Sequence, residues 1–274
     1  VKFVFLGTGT SSGVPAIGCH CAVCSSPDPR DQRLRTSAAI HLTDPSGNPR
    51  TILIDAGPDL RQQCLRFGIQ RVDAILFTHN HVDHTFGLDE VRRFNALQKT
   101  PIDIYADDHT LTFLRRVYQY IFDTDRNVNQ SFVATLSPRR ITPLQPFDLY
   151  GLRITPIPFM HGRLPVLGYR FEHAADTSSP SPLLPLAYCT DLSAVPNESW
   201  PLLAGLNTLV LDALRHRHHP THFTIDQATD LALNVRAAST WFIHMSHDTS
   251  HQDLDASLPE GISPAYDGLT LPLN

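Results

Sequence analysis

Apolar positions along the chain follow two alternating rhythms. Short, mostly apolar runs at residues 1–6, 37–43, 50–55 and 74–78 are bounded by Gly, Pro, Asn or Asp and read as strands. Asp44-Pro45-Ser46-Gly47-Asn48 joins the second and third as a hairpin loop. Leu60, Cys64 and Phe67 are spaced to share one face of a helix over 59–67. Further helices are predicted over 88–98 and 111–122, the second rich in Arg and Tyr, with a strand at 101–105 between them. The second half repeats the style, with strands at 152–156, 166–171, 186–190 and 208–211, a helix over 224–235 and a strand at 240–243. Prolines and serines mark 174–185 as a surface loop. Strands followed by helices, then the same again, predict two similar α/β halves packed sheet against sheet. No linker separates them, so one domain over 1–274 is expected.

Composition narrows the setting. A chain of 274 residues can bury a large core, and 42% hydrophobic with 18% charged residues is ordinary for a soluble globular protein. The formal net charge of −5 gives no general attraction to nucleic acid or to an anionic membrane. No apolar run approaches the ~20 residues that span a bilayer. The N-terminal run is too short for a signal peptide, so a cytoplasmic protein without a membrane partner is expected. The five cysteines are unevenly placed: Cys19, Cys21 and Cys24 form Cys-x-Cys-x-x-Cys, while Cys64 and Cys189 stand alone as small core residues. In a reducing compartment, such a cluster marks metal or redox chemistry rather than disulfides. Three thiolates can supply three corners of a tetrahedral zinc site completed by a distant residue. A redox or surface-thiol cluster is the alternative on spacing alone.

Fifteen histidines are an excess for this length, and their grouping carries the chemistry. Thr78-His79-Asn80-His81-Val82-Asp83-His84 follows the buried-strand pattern of 72–77 and brings four metal-ligand side chains out together. Imidazole nitrogen and carboxylate oxygen suit Zn²⁺, Mn²⁺ or Fe²⁺ at a hydrolytic site. A helix would spread ligands at this spacing around its circumference, so a loop curling around a metal pair is expected. Read blandly, the segment is a histidine-rich surface turn. His161, Asp191, His244 and His247 also fall at or just after strand ends. Each alone is a capping or hydrogen-bonding residue. Together with the first cluster they offer donors for two metals, including a carboxylate able to bridge them.

From Gly7-Thr8-Gly9 through Leu53-Ile54-Asp55-Ala56-Gly57 and the histidine motif to His244, the chain resembles the metallo-β-lactamase superfamily. The resemblance implies a four-layer αββα sandwich with two catalytic divalent metals, Zn or Mn, at one edge of the two sheets. His79, His81 and His161 would hold one; Asp83, His84 and His244 the other; Asp191 would bridge them, and Asp55 would be a buried supporting acid. Within the superfamily the chain is similar to the phosphodiesterase branch, notably the phosphoribosyl 1,2-cyclic phosphate phosphodiesterases of phosphonate breakdown. Gly18-Cys19-His20-Cys21-Ala22-Val23-Cys24 then implies one structural Zn, with His247 as its fourth ligand. His218-His219-Pro220-Thr221-His222-Phe223-Thr224 implies that His222 faces the scissile phosphate and assists the leaving oxygen. His219 is left unassigned, and 215–218 reads as a solvated loop.

The implied reaction is hydrolysis of a small, strained cyclic phosphodiester by metal-held hydroxide, with Asp191 and His222 as catalytic residues. The implied partner is that small molecule; a homodimer is left open. Arg115, Arg116, Arg126, Arg139 and Arg140 in 107–140 have no family role; they either shape a pocket for a second phosphate or form a charged surface helix face, the latter being the default. Three other classes share parts of this pattern. A tRNA 3′-processing endonuclease shares the histidine motif but needs an RNA-gripping arm, and no long basic insertion stands out. A secreted lactamase would carry a signal peptide, and a thioesterase has no need of Pro220-Thr221-His222. A non-catalytic quinone-cofactor biosynthesis relative shares the cysteine spacing but lacks an intact metal motif.

Overall fold

A computed structural model describes residues 1–123, 132–174 and 180–273. The first half contains β1 (Lys2–Gly7), β2 (Ser37–Thr43), β3 (Pro49–Ile54), α1 (Leu60–Arg66), β4 (Ala74–Leu76), α2 (Val82–Thr85), α3 (Arg92–Gln98), β5 (Ile102–Ala106), α4 (Asp108–Val117), α5 (Gln119–Phe122) and β6 (Leu136–Arg140). The second contains β7 (Phe147–Leu149), β8 (Leu152–His161), β9 (Leu164–His173), β10 (Leu186–Cys189), β11 (Thr208–Asp212), α6 (Ile225–Val235), β12 (Ser239–Ile243), α7 (His251–Ser257), β13 (Ile262–Pro264) and β14 (Thr270–Leu271). One sheet has the order β14-β1-β2-β3-β4-β5-β6 and the other β13-β12-β11-β10-β9-β8-β7.

Strand alternation builds the layers. On β1, Phe3 and Phe5 point into a cluster shared with Ile154, Tyr169, Phe171, Tyr188 and Val210 of the second sheet. Val4 and Leu6 point the other way, onto Leu60, Val91, Phe94, Leu111 and Leu114 of the helical layer. The far face of the second sheet buries Leu209, Leu211 and Phe242 against Ile225, Ala228 and Leu231 of α6 and Leu254 of α7. Three apolar clusters thus glue four layers, helices–sheet–sheet–helices, as an αββα sandwich. No helix among the described residues is long and apolar enough to cross a membrane.

Several elements depart from the pattern-based expectation. The helix predicted over 88–98 opens as a 3₁₀ turn, Leu88–Val91, before α3. Its entry is tied down, because Gly87 N–H donates to Ala56 O (2.8 Å). The helix predicted over 111–122 starts earlier, where Asp107 caps Thr110 N–H (2.8 Å), and breaks at Tyr118 into α4 and α5. The polar first turn Asp108-His109-Thr110 hides that start from periodicity. β8 and β9 are ten-residue strands rather than short ones; Pro156, Pro158 and Pro165 interrupt their pattern in the sequence but not in the hairpin. Gly162 carries the turn between them at φ +62. Of the loop expected at 174–185, residues 175–179 lie outside the described residues, as does Arg126. Its end is not surface: Leu183 and Leu184 are buried in the inter-sheet core. Arg115 and Arg116 are exposed, and Arg139 and Arg140 pair with Asp103 and Asp108, as a charged surface requires.

Candidate metal centre

Strand direction gathers the site. β3 and β4 run parallel, as do β10, β11 and β12, and β8 runs with β10 because both are antiparallel to β9. Their C-terminal ends therefore share one edge, where Asp55, His79, His161, Asp191, Asp212 and His244 emerge. Asp55, Asp191 and His244 leave their strands at φ 62, 57 and 60, left-handed conformations that non-glycine residues seldom adopt. Such backbone costs on the order of 1–3 kcal/mol per residue and is found where function requires a particular side-chain direction.

The histidine motif is a loop only through His81. Val82–Thr85 forms a single helical turn, contrary to the loop expectation, with Thr85 Oγ1 donating to His81 O (2.9 Å). One turn is too short to spread its residues, so Asp83 and His84 still face the same site. His79, His81 and His161 bring ligand atoms within 4.8 Å of one another, and so do Asp83, His84, Asp191 and His244. Asp191 also joins His161 and His222, so it touches both sets.

The surrounding polar groups aim these rings. Asp55 accepts from Thr78 N–H and Thr78 Oγ1, each at 2.8 Å, and from His84 Nδ1 at 2.7 Å. His84 Nε2 is thereby turned toward Asp191 (3.2 Å) and Asp83 (3.3 Å). His161 Nδ1 donates to Thr221 O (2.7 Å), leaving Nε2 for the site. Burial pushes His79 well below the ordinary histidine range and lowers His81 and His161 also, which keeps all three as neutral nitrogen donors. Burial works against His84 and His244 too, but carboxylates win: Asp191, Asp83 and Asp55 raise His84 well above its usual value, and Asp191 and Asp83 bring His244 to about 9.

The Nε2 atoms of His79, His84 and His244 are buried without a hydrogen-bond partner. Orphaned nitrogens among carboxylates are costly unless something binds them, and a divalent cation satisfies both charge and lone pairs. This donor set fits such a cation. A separate cluster forms behind it: Cys19, Cys21 and Cys24 Sγ lie 3.3, 3.3 and 3.5 Å from His247 Nδ1. A tetrahedral zinc would put sulfur and nitrogen ligands about 3.5 Å apart. The Cys24 N–H and His247 lower the Cys21 thiol to about 6, toward the thiolate that binds metal.

Sequence reasoning missed Asp212. It is fully buried, accepts from His222 Nδ1 at 2.9 Å and from Leu192 N–H at 3.1 Å, and its other oxygen is 3.7 Å from His244 Nδ1. The His222 and His244 rings stack at 4.7 Å, and His222 Nε2 is 3.9 Å from Asp191. The available signal was an Asp ending an apolar strand run, as Asp55 and Asp191 do. His219 lies beside this group, its ring 5.1 Å from that of His222.

A family profile described as Beta-lactamase superfamily domain matches residues 50–245. The chain is similar to a crystal structure of a "New Diphosphatase from the PhnP Family", with 40% identity, TM-score 0.85, and 98% of this chain and 96% of that one covered. Zn(2+)-bound PqqB from Methylobacterium extorquens shares the fold at 20% identity and TM-score 0.74, each chain covered in full (100%). Among curated proteins, an octanoyltransferase of Porphyromonas gingivalis is 37% identical over 271 residues, which are 98% of this chain but 51% of that protein. The chain thus spans about half the length of that relative. This metal-binding hydrolase fold belongs to the metallo-β-lactamase superfamily. Within the superfamily the chain resembles the PhnP family.

Proposed function

We propose that the protein is a binuclear metal-dependent phosphodiesterase acting on a small molecule, with a cyclic phosphate such as phosphoribosyl 1,2-cyclic phosphate in its substrate range. One observation carries this reading. His222, fixed by Asp212 at 2.9 Å, presents Nε2 to the same space as Asp191 and the two ligand clusters. Acyl hydrolysis on these ligands has no need of a second histidine held there, whereas a poor alkoxide leaving group does. The PhnP-family diphosphatase likeness supports phosphorus chemistry and brings a diphosphate bridge within the same reading.

His79, His81 and His161 would hold one divalent ion, and Asp83, His84 and His244 the other, with Asp191 between them. When bound, two such ions polarise the phosphoryl oxygens and lower the pKa of water at the site. Asp191, held by Thr190 Oγ1 at 2.6 Å, orients the attacking water, whose proton passes to solvent; burial opposes ionisation of its carboxyl, but His244 and His84 hold it well below the usual carboxylate range. His222 donates its Nε2 proton to the departing oxygen, while Asp212 stabilises the ring through Nδ1–H. Cys19, Cys21, Cys24 and His247 would hold a structural zinc that fastens the 14–24 loop to the segment carrying His244. The octanoyltransferase match covers 51% of that protein, so octanoyl transfer forms no part of this reading.

The test combines metal analysis with hydrolysis of bis-p-nitrophenyl phosphate. Wild type should hold about three metal ions per chain and turn over the diester. Asp191→Ala should lose activity and part of its catalytic metal; His222→Ala should lose turnover with metal content intact. Full loading without phosphodiester cleavage would redirect the assignment to carbonyl hydrolysis.

A further inference from the structure

The loop that carries the cysteines is fastened at one place. No residue from 15 to 30 is buried, and none joins the three apolar clusters. Its backbone bonds are local: Cys19 N–H donates to Ala16 O and Ser25 N–H to Cys21 O, each at 3.0 Å. Ala16 N–H donates to Cys24 Sγ at 3.4 Å, again within the loop. Among the described residues, 16–25 make hydrogen bonds outside their own neighbourhood only to His247, through the three thiols. A surface loop so placed has neither core nor sheet to order it, so the cysteine–histidine cluster carries its attachment.

The same thiols are placed to react with one another. All three Sγ atoms and His247 Nδ1 lie within 4.8 Å of one another. Cys21 and Cys24 stand three residues apart in the turn closed by Ser25 N–H. That spacing keeps their Cα atoms within about 7 Å, the reach of a disulfide. Cys21 Sγ accepts from Cys24 N–H at 3.4 Å, a donor that stabilises negative charge on the attacking sulfur. The trio is half-buried, with exposed Ile17, His20, Ala22 and Ser25 around it, so a small oxidant has access. Cys64 and Cys189 instead pack with the apolar clusters.

We infer that this cluster is a thiol-oxidation site, where a hydroperoxide joins Cys21 to Cys24 as a disulfide and so releases the structural zinc. The inference rests on the zinc reading of the cluster and not on the phosphodiesterase reading. Cys21 Sγ attacks one peroxide oxygen and breaks the O–O bond; a sulfenic acid forms, and the other oxygen leaves as hydroxide or alkoxide, protonated by solvent. Cys24 Sγ then attacks the Cys21 sulfur, forming the S–S bond and expelling hydroxide, which solvent also protonates. Two electrons pass from the sulfur pair to the peroxide. Cys19 and His247 alone are too few to keep the ion. The loop is then untied, whereas Met245 and Ser246 stay pinned, since their N–H groups donate to Thr8 O and Leu214 O, each at 2.9 Å. His244 and the other proposed catalytic ligands are imidazoles and carboxylates, so the catalytic ions stay.

The experiment uses the whole protein loaded with zinc, which has no redox chemistry of its own. After stoichiometric hydrogen peroxide and desalting, metal analysis should show a loss of about one zinc per chain, with the catalytic pair retained. Peptide mass spectrometry should find Cys21 linked to Cys24, and Cys19, Cys64 and Cys189 still alkylatable after denaturation. Dithiothreitol followed by zinc should restore the metal content. In Cys24→Ser the reaction should stop at a Cys21 sulfenic acid that dimedone traps; a disulfide to Cys19 in wild type would overturn the pairing. Retained zinc and alkylatable thiols, under an exposure that oxidises free cysteine, would overturn the proposal. If the reduced chain holds no zinc that Cys19→Ser removes, the zinc reading falls and the release with it, while the disulfide still decides the oxidation site. None of these readouts needs turnover, so failure of the phosphodiesterase reading leaves the test intact.

Discussion

Single side chains at this site act through the atoms they leave available. Asp212 touches neither ligand cluster's orphaned Nε2 atoms; it acts by holding His222 Nδ1 at 2.9 Å. Asp212→Ala removes the acceptor that holds His222 Nδ1–H and leaves the ring free to turn, so kcat should fall about a hundredfold or more. Metal analysis and steady-state kinetics check this together: normal loading with slow turnover is expected, and near-normal kcat would remove Asp212 from the mechanism. Thiol chemistry separates the cysteines in the same way. Burial pushes the Cys64 thiol up to about 12 and Cys189 higher still. After zinc chelation, iodoacetamide at neutral pH should modify Cys21 first, react slowly with Cys24, which burial holds up at about 11, and spare Cys64 and Cys189, read by peptide mass spectrometry. At this scale the sequence was legible where ligands cluster, as in His79–His84 and the cysteine trio. Asp212 was not, because a lone Asp after an apolar strand looks like any capping residue until the fold lays it under His222.

Between elements, close backbone approach positions the ligands. A Cβ on Gly57 would stand 2.0 Å from Asp83 O, so α2 reaches its place only because that residue is glycine. Gly57→Ala must push α2 away, carrying Asp83 and His84 with it. Weaker catalytic metal retention on dialysis, with the cysteine-site zinc kept, is the expected result. Arg33 is a second such device. Its fully buried guanidinium donates to Ser246 O, to Thr249 O at 3.1 Å and to Asp31 at 3.2 Å, while its backbone pairs with Val14. It therefore ties the loop before the cysteines to the segment between His244 and His251. Arg33→Met takes the counter-charge from buried Asp31, which keeps the His251 N–H at 2.7 Å, and costs up to about 3–5 kcal/mol. Urea unfolding should register the loss, and the cysteines should release zinc to a chelator faster than in wild type. Element type was legible for strands with clear apolar runs. Short pieces such as α2 and the edge strands β6, β7, β13 and β14 carry too few residues for a period to show. The length of β8 and β9 was hidden by prolines whose missing N–H groups the hairpin tolerates.

Across the whole molecule, the same edge that collects the ligands also joins the chain's two ends. Two α/β halves packed sheet against sheet were legible from the succession of strands and helices, whereas the four-layer order came only with the family resemblance. The C-terminal closure was not, since β14 has only two residues. Asp267, just before it, accepts from Thr8 N–H and Oγ1 (2.9 and 2.8 Å) and from Leu34 N–H (2.7 Å), pinning the turns after β1 and before β2 to the C-terminal segment. Burial raises its carboxyl to about 7, even though those donors and Arg66 pull the other way. An unfolded aspartate titrates near about 3.9. Between those values the folded state holds a proton that the unfolded state has released, so stability falls as pH rises. The contribution is complete below about 4, declines by up to about 1.4 kcal/mol per pH unit, and is gone once pH passes about 7. Asp267→Asn cannot titrate, so the wild-type advantage over it should be largest near pH 5 and smallest near pH 8 in paired urea unfolding with zinc saturating. Parallel stability curves over that range would mean that the three donors keep the carboxylate ionised, with hydrogen bonding rather than burial governing this junction.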